Sequence, residues 1–254
     1  MTKTLSLIAV AATAAFALPA HADLNSAGSL SFTAFNADED GFSMVALSDI
    51  AANTKVWFSD NEWSGSAFNT GESFSSWLSG SAVIAAGTVI RFSKVDSATA
   101  LAASIGTFSR ETVSGSSNWG LSTSEDTLYA YLGSSATAPT LFLSAITTGS
   151  FGSASAGSLD NTGLSNGNGA ITLSAGSDYA EYQGPRSGQA SFADYLPLLG
   201  NVANWNDLGT NADGSNLVPD TTAFTVSAVP EPSSYALLMS GLLSIGLIAR
   251  RRRS

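Results

Sequence analysis

Residues 29–47 read SLSFTAFNADEDGFSMVAL. Two runs of strand length, 29–35 and 42–47, flank the cluster Asn36-Ala37-Asp38-Glu39-Asp40-Gly41. Aromatic and β-branched residues fit a pleated, half-buried surface, while Asn, Asp and Gly accept the tight backbone of a turn. The stretch therefore predicts a β-hairpin. Working outward, similar runs recur at 55–58, 88–95, 127–132, 141–146, 170–173 and 223–226, each closed by turn formers. No long segment of helical period separates them. The best helix candidate is 97–105, with Ser97 as its cap. Residues 191–199 contain Pro197 and predict a short helical turn at most. Many short strands with few helices predict an all-β domain, a β-sandwich. The Gly/Ser/Asn-rich stretch 149–169 predicts a long surface loop that buries little. Its alternative is a linker between two small domains.

The 254-residue chain carries 10 Lys+Arg, 20 Asp+Glu, one His and no Cys. With no Cys there is no disulfide framework, no Cys nucleophile and no Cys-based metal site. A pI near 4.3 argues against nucleic acid as a partner, because phosphate neutralisation needs a basic face.

Both ends differ from the middle. Residues 1–22 place Lys3 before an apolar run at 5–18 and finish on Ala20-His21-Ala22, the small-x-small pattern of a signal-peptidase site. A signal peptide over 1–22 is expected, with the Sec export machinery and signal peptidase as partners. Cleavage after Ala22 removes His21, so the mature chain holds neither His nor Cys. At the other end Pro230-Glu231-Pro232 precedes an apolar run at 235–249, followed by Arg250, Arg251, Arg252 and Arg253. The prolines interrupt any helix entering from the domain. Fifteen helical residues span about 22 Å, short of the ~30 Å hydrocarbon core, and arginines behind an apolar run hold that end in the cytoplasm. The expected order is signal peptide 1–22, exported β-domain 23–228 and C-terminal signal 229–254 with a membrane helix at 235–249. Removing both ends leaves five cations against 19 acids, so the body sits near −14.

The Pro-Glu-Pro string, apolar run and terminal Arg cluster, in that order, resemble the PEP-CTERM sorting signal of Gram-negative bacteria. The resemblance implies processing by an exosortase, an integral-membrane cysteine protease, after transient anchoring in the inner membrane. It implies delivery to the cell surface or to the exopolysaccharide matrix, and it implies nothing about catalysis. A second resemblance covers most of the middle. Residues 30–42, Phe58-Ser59-Asp60-Asn61-Glu62-Trp63, Asn69-Thr70-Gly71-Glu72, 124–131 and Val202-Ala203-Asn204-Trp205 are similar to bacterial secreted modules that look like lamin-tail domains. Those modules are immunoglobulin-like β-sandwiches and not enzymes by themselves.

The residues allow little hydrolytic chemistry. Gly163-Leu164-Ser165-Asn166-Gly167 matches a nucleophile-elbow string, but its Ser has no His base in the mature chain. There is no P-loop. Carboxylates are plentiful, and Glu62, Glu72, Glu111, Glu125 and Glu181 are available for a glycosidase pair, with Trp57, Trp63, Trp77, Trp119 and Trp205 as sugar platforms or as core. Asn36, Asp38 and Asp40 fit the opening of a calcium loop, yet position twelve is Leu47 where a bidentate Glu is required. The alternatives there are a solvated hairpin turn and a weak Ca²⁺ site; no cofactor is expected. The leading expectation is a non-enzymatic exported component of the cell surface or matrix. A polysaccharide-binding module comes next, and a carboxylate-dependent glycoside hydrolase third.

Overall fold

The computed structural model describes residues 23–153, 155–227 and 239–241. The expected signal peptide with Ala20 and Ala22, the sorting residues Pro230, Glu231, Pro232 and Arg250–Arg253, and all of the expected helix 235–249 except 239–241 lie outside the described residues. Among the described residues no helix is long and apolar enough to cross a membrane.

The domain is mostly β, built as two sheets. The strands are β1 (Leu30–Asn36), β2 (Gly41–Ala46), β3 (Lys55–Ser59), β4 (Phe74–Leu78), β5 (Val89–Ser93), β6 (Ala102–Ala103) and β7 (Thr107–Arg110). They continue with β8 (Thr127–Ser135), β9 (Ala138–Thr147), β10 (Ser165–Asn166), β11 (Gly169–Thr172), β12 (Tyr179–Tyr182) and β13 (Trp205–Asp207). One sheet has the order β13-β12-β1-β2-β5-β6, the other β10-β11-β9-β8-β3-β4-β7.

The expected hairpin is β1–β2, with antiparallel register Phe35↔Phe42 and Asn36↔Gly41. A register shift between Phe32 and Ala34 marks a bulge. The extra residue resets the alternation, so Phe32 and Phe35 both reach the core despite their odd spacing. Phe42 joins the two sheets. Its ring centroid lies 4.6 Å from Phe92 in the same sheet and 5.1 Å from Phe58 in the other. Phe108 of β7 is 5.8 Å from Phe58 and closes the cluster. Aromatic contacts of this kind add to the stabilisation from area burial.

The second sheet is covered on both faces. Along β8, Leu128 and Ala130 enter the shared core, while Tyr129 and Tyr131 point to the other face. There they meet Trp57, Trp63, Phe74 and Phe142 in a second cluster, with Phe68 packed against it. This period-two alternation is why the string Tyr129-Ala130-Tyr131 serves two cores at once.

Several expectations need correction. Residues 97–105 do not form a helix. Ser97 does cap one turn, its Oγ accepting from Ala100 N at 3.2 Å, but Ala102 and Ala103 then pair with β5 as β6. One turn is too short to hold without an apolar face buried along it. Residues 223–226 form no strand; Val226 makes a single parallel bridge to Gln189. The turn at 191–199 is a 3-10 turn, Phe192–Tyr195, running into a four-residue helix, α1 (Leu196–Leu199). Residues 149–169 link no separate domains, because β9 and β11 pair in parallel across them, Ala145↔Ala170. That loop also buries more than expected. Ala156, Thr162 and Leu164 are buried, and a Cβ on Gly157 would stand 2.6 Å from the Tyr129 hydroxyl oxygen. The elbow string falls on β10 and a tight turn at Gly167, not between a strand and a helix.

Candidate functional site

One end of the two sheets gathers acids. At the β1–β2 turn Asp40 adopts φ 53°, and its Oδ1 accepts from Leu121 N at 2.7 Å. The next residue, Ser122, donates its N–H to Asp126 Oδ2 at 2.9 Å. Two adjacent peptides thus tie the hairpin turn to the start of β8. Burial pushes both carboxyls up to about 6, and Asp96 and Asp38 add repulsion at Asp40.

Asp60 follows β3 at the same end and is 2% exposed. Its Oδ1 accepts from both the N–H and the hydroxyl of Ser73 at 2.7 Å. Its Oδ2 is buried with no hydrogen-bond partner. Burial first, then the charge of Asp126, raises its pKa well above the carboxylate range. Asn61 holds the same loop: its Nδ2 donates to Ser73 O at 2.8 Å and its Oδ1 accepts from Glu72 N at 3.1 Å. Burial, with Asp126 and Glu62 nearby, lifts Glu72 to about 7. Among the described residues no cation pairs with Asp60, Glu62, Glu72 or Asp126; the ion pairs are Lys55–Glu111, Arg91–Glu39 and Arg186–Asp220. Asp60, Glu72 and Asp126 thus take up protons above the pH at which ordinary carboxylates do.

Beside it lies a cleft of about 300 Å³ lined by Glu62, Trp63, Ser64, Asn69, Ser153 and Ser158. Asn69 Nδ2 donates to Glu62 Oε2, and Asn69 Oδ1 accepts from Glu62 N at 2.9 Å. The cleft floor is fixed by Trp63, whose Nε1 donates to Asp160 O at 2.8 Å.

The calcium candidates have other work. Asn36 Oδ1 accepts from Glu39 N, and its Nδ2 donates to Gly214 O at 2.9 Å and Leu217 O at 3.2 Å. Asp38 Oδ2 accepts from Gly214 N at 2.6 Å. Asp40 is engaged by Leu121 as above. Asn36 and Asp38 both hold the Gly214 peptides and Asp40 holds Leu121, so all three side chains cap loops. Among the described residues no group of three or more His, Cys, Asp or Glu is placed to hold a metal ion.

Of the five glutamates named from sequence, only Glu62 and Glu72 come together. Glu111 pairs with Lys55, Glu125 accepts from Ser155 Oγ at 2.8 Å, and Glu181 accepts from Tyr179 and Asp220. Asp60 and Asp126 are not among the candidate site residues above; each abuts the end of an aromatic strand, and both fall in blocks that carry the lamin-tail resemblance. Of the two readings open for the tryptophans, core packing holds and the sugar platform does not form. Trp57, Trp63, Trp77 and Trp205 are buried, and the partly exposed Trp119 is covered by the Arg110 guanidinium at 4.7 Å.

The opposite end of the domain holds both of its termini. Asn25 and Ser26 line a shallow pocket with Leu47, Ser48, Ala193 and Leu196. From the acid end, residues 214–227 run as a strap along the first sheet to this opposite end. Arg186 Nη1 donates to Thr222 O at 2.9 Å, Phe224 N to Gly87 O at 2.8 Å, and Ser227 N to Gln189 O at 2.8 Å.

Comparison with known families matches the PEP-CTERM protein-sorting motif to residues 228–253. The match begins one residue after the strap ends and covers Pro230, Glu231, Pro232 and the four arginines. No curated protein and no solved structure matches the chain. The motif implies export and membrane-associated processing, with exosortase as the processing partner.

Proposed function

We propose that this chain is an exosortase-sorted, non-enzymatic component of the cell surface or extracellular matrix. Its 23–228 body is a β-sandwich of the immunoglobulin or lamin-tail-like kind, delivered by a signal peptide cut after Ala22 and anchored transiently through a helix at 235–249. The observation that carries the reading is the position of the sorting motif: it starts at residue 228, directly after the last hydrogen-bonded residue of the strap, Ser227. A body without His or Cys supports the non-enzymatic part, because the common activated nucleophiles need one or the other. The test is mass spectrometry of the exported protein from cells with and without exosortase. The reading expects Asp23 as N-terminus in both, and loss of Arg250–Arg253 only where exosortase is present. Identical C-termini in both strains would overturn it.

A second reading, recognition of extracellular polysaccharide, is favoured by the polar cleft at Glu62 and Asn69. A carboxylate and an amide held in contact suit sugar hydroxyls, which both donate and accept. Glycan-array binding that is lost in Glu62→Ala and Asn69→Ala would support it, and no binding by the parent protein would remove it.

A further inference from the structure

The strap fixes which way the domain faces while its tail is uncut, an inference that rests on the sorting reading above. Phe224 is buried, and Ser227 is held by Gln189. Seven residues, 228–234, then separate the fold from the apolar run that starts at Tyr235. Fully extended they reach about 25 Å. A compact body of this size is roughly 40 Å across. An inverted domain would need the tail to run the length of the body, which seven residues cannot do.

The tether length sets the orientation, since exposed apolar side chains occur at both ends, with Leu208, Leu217 and Val218 near Asn36 at the far one. The far end exposes Asp38, Lys94 and Asp96 around the β1–β2 turn, while Asp60 and Asp126 there are buried. The near end carries Val83, 49% exposed, beside the Ile50–Ile84 bridge, and Val226, 38% exposed, on the strap. Asp23 is also held at the near end, where its carbonyl oxygen accepts from Ser48 Oγ.

We propose that the uncut protein stands on the outer leaflet of the inner membrane on its Val83–Val226 end, with the acid end directed away. The partner is the bilayer surface. Exosortase then works in the gap beneath a folded domain, and its cut leaves the strap in place.

The chain has no Cys, so single cysteines report without background. The full chain carrying Val83→Cys or Ala98→Cys, the latter at an exposed position two residues from Asp96, is labelled with a fluorophore. It is then reconstituted into phosphatidylethanolamine/phosphatidylglycerol vesicles that contain a headgroup-attached quencher. Val226→Cys and Asp96→Cys repeat the comparison, so that one misfolded variant does not decide it. Quenching at 83 and 226 at least threefold stronger than at 98 and 96 is expected. Equal quenching, or stronger quenching at 98 and 96, in protein that floats with the vesicles would overturn the orientation while leaving the sorting reading intact. Failure of the full chain to float with the vesicles would overturn the anchoring itself and the orientation with it.

Discussion

Phe224 stacks on Tyr182, with ring centroids 5.8 Å apart and planes at 27°. Tyr195 meets the same ring edge-on at 5.0 Å, and its hydroxyl donates to Thr225 O at 2.6 Å. The strap is thus clamped to the body by a side chain that would otherwise lie in water. Phe224→Ala should cost about 3–5 kcal/mol, the usual loss for a buried Phe. Gly87→Ala should act on the same clamp through the Phe224 backbone, leaving its side chain unaltered. Gly87 has φ +88°, and a Cβ there would stand 2.2 Å from Phe224 O. Denaturant melts of the exported protein should show both variants shifted down, with 220–227 becoming protease-sensitive first.

The acid end predicts an unusual pH dependence. Asp40 and Asp126 are raised by burial to about 6 and Glu72 to about 7, so the folded chain holds protons that the unfolded chain has released. Stability from these groups is full below about pH 4 and is lost as pH rises through 6 and 7. For Asp126 alone the difference is on the order of 3 kcal/mol. Asp207, Asp213 and Asp220 act oppositely. Burial pushes Asp207 up, but donors from Ser174, Ser177 and Gly209 bring it below its ordinary value. Hydrogen bonds from Ser215 and Thr222 lower the other two. Their stability is lost as pH falls through these low values. The melting temperature should therefore be higher at pH 5 than at pH 8, and a flat or rising profile between them would contradict the cluster.

Asp60→Asn separates charge from hydrogen bonding. The amide oxygen keeps both Ser73 donors, while the unpartnered Oδ2 becomes an NH₂ without charge. The pH 5-to-8 difference in melting should shrink, because the amide does not titrate. Asp60→Ala removes the acceptor as well, leaves Ser73 unsatisfied, and should cost about 1–3 kcal/mol.

Gly157 closes the loop over the second aromatic cluster at φ +70°, with Trp63 N 2.8 Å from where a Cβ would sit. Gly157→Ala should loosen the loop from Tyr129, whose hydroxyl donates to Ser158 O at 3.0 Å. Hydrogen exchange at 155–160 would register the change, while the first core, around Phe42, should keep its protection.

The non-enzymatic reading is exposed to a direct assay at the carboxylates most suited to acid–base work. Glu72 is lifted to about 7, the property a general acid needs. Incubation with cell-surface polysaccharide should release no new reducing ends. Release that disappears in Glu72→Gln would show a glycosidase and end the proposal.

The 29–47 hairpin and the alternation at 127–132 were readable because strand-forming residues run up to a turn cluster on each side. β4 and β12 were not, because Ser75, Ser76 and Glu181 are polar yet buried, which breaks the apolar pattern without breaking the strand. The 97–105 stretch misled because Ala-rich composition favours helix only when a face is buried along it. The acid cluster draws Asp60, Glu72 and Asp126 from three distant loops, and no spacing rule pairs residues that only tertiary packing brings together. The Asn36–Asp40 pattern specifies a turn but not its ligands, since oxygens that cap neighbouring peptides look the same in sequence as oxygens that hold a cation. The sorting signal was legible because it is read linearly, in chain order.

The shared exit of both termini gives the body the topology of a cassette. A fold whose ends lie at one end of the domain can be spliced into a surface loop of another protein, or permuted by linking 23 to 227 and opening the β8–β9 turn at Ser135–Ala138, without threading the chain across the core. The same property lets one pair of terminal addresses carry unrelated bodies: any domain that returns its chain to its starting face can be exchanged between them.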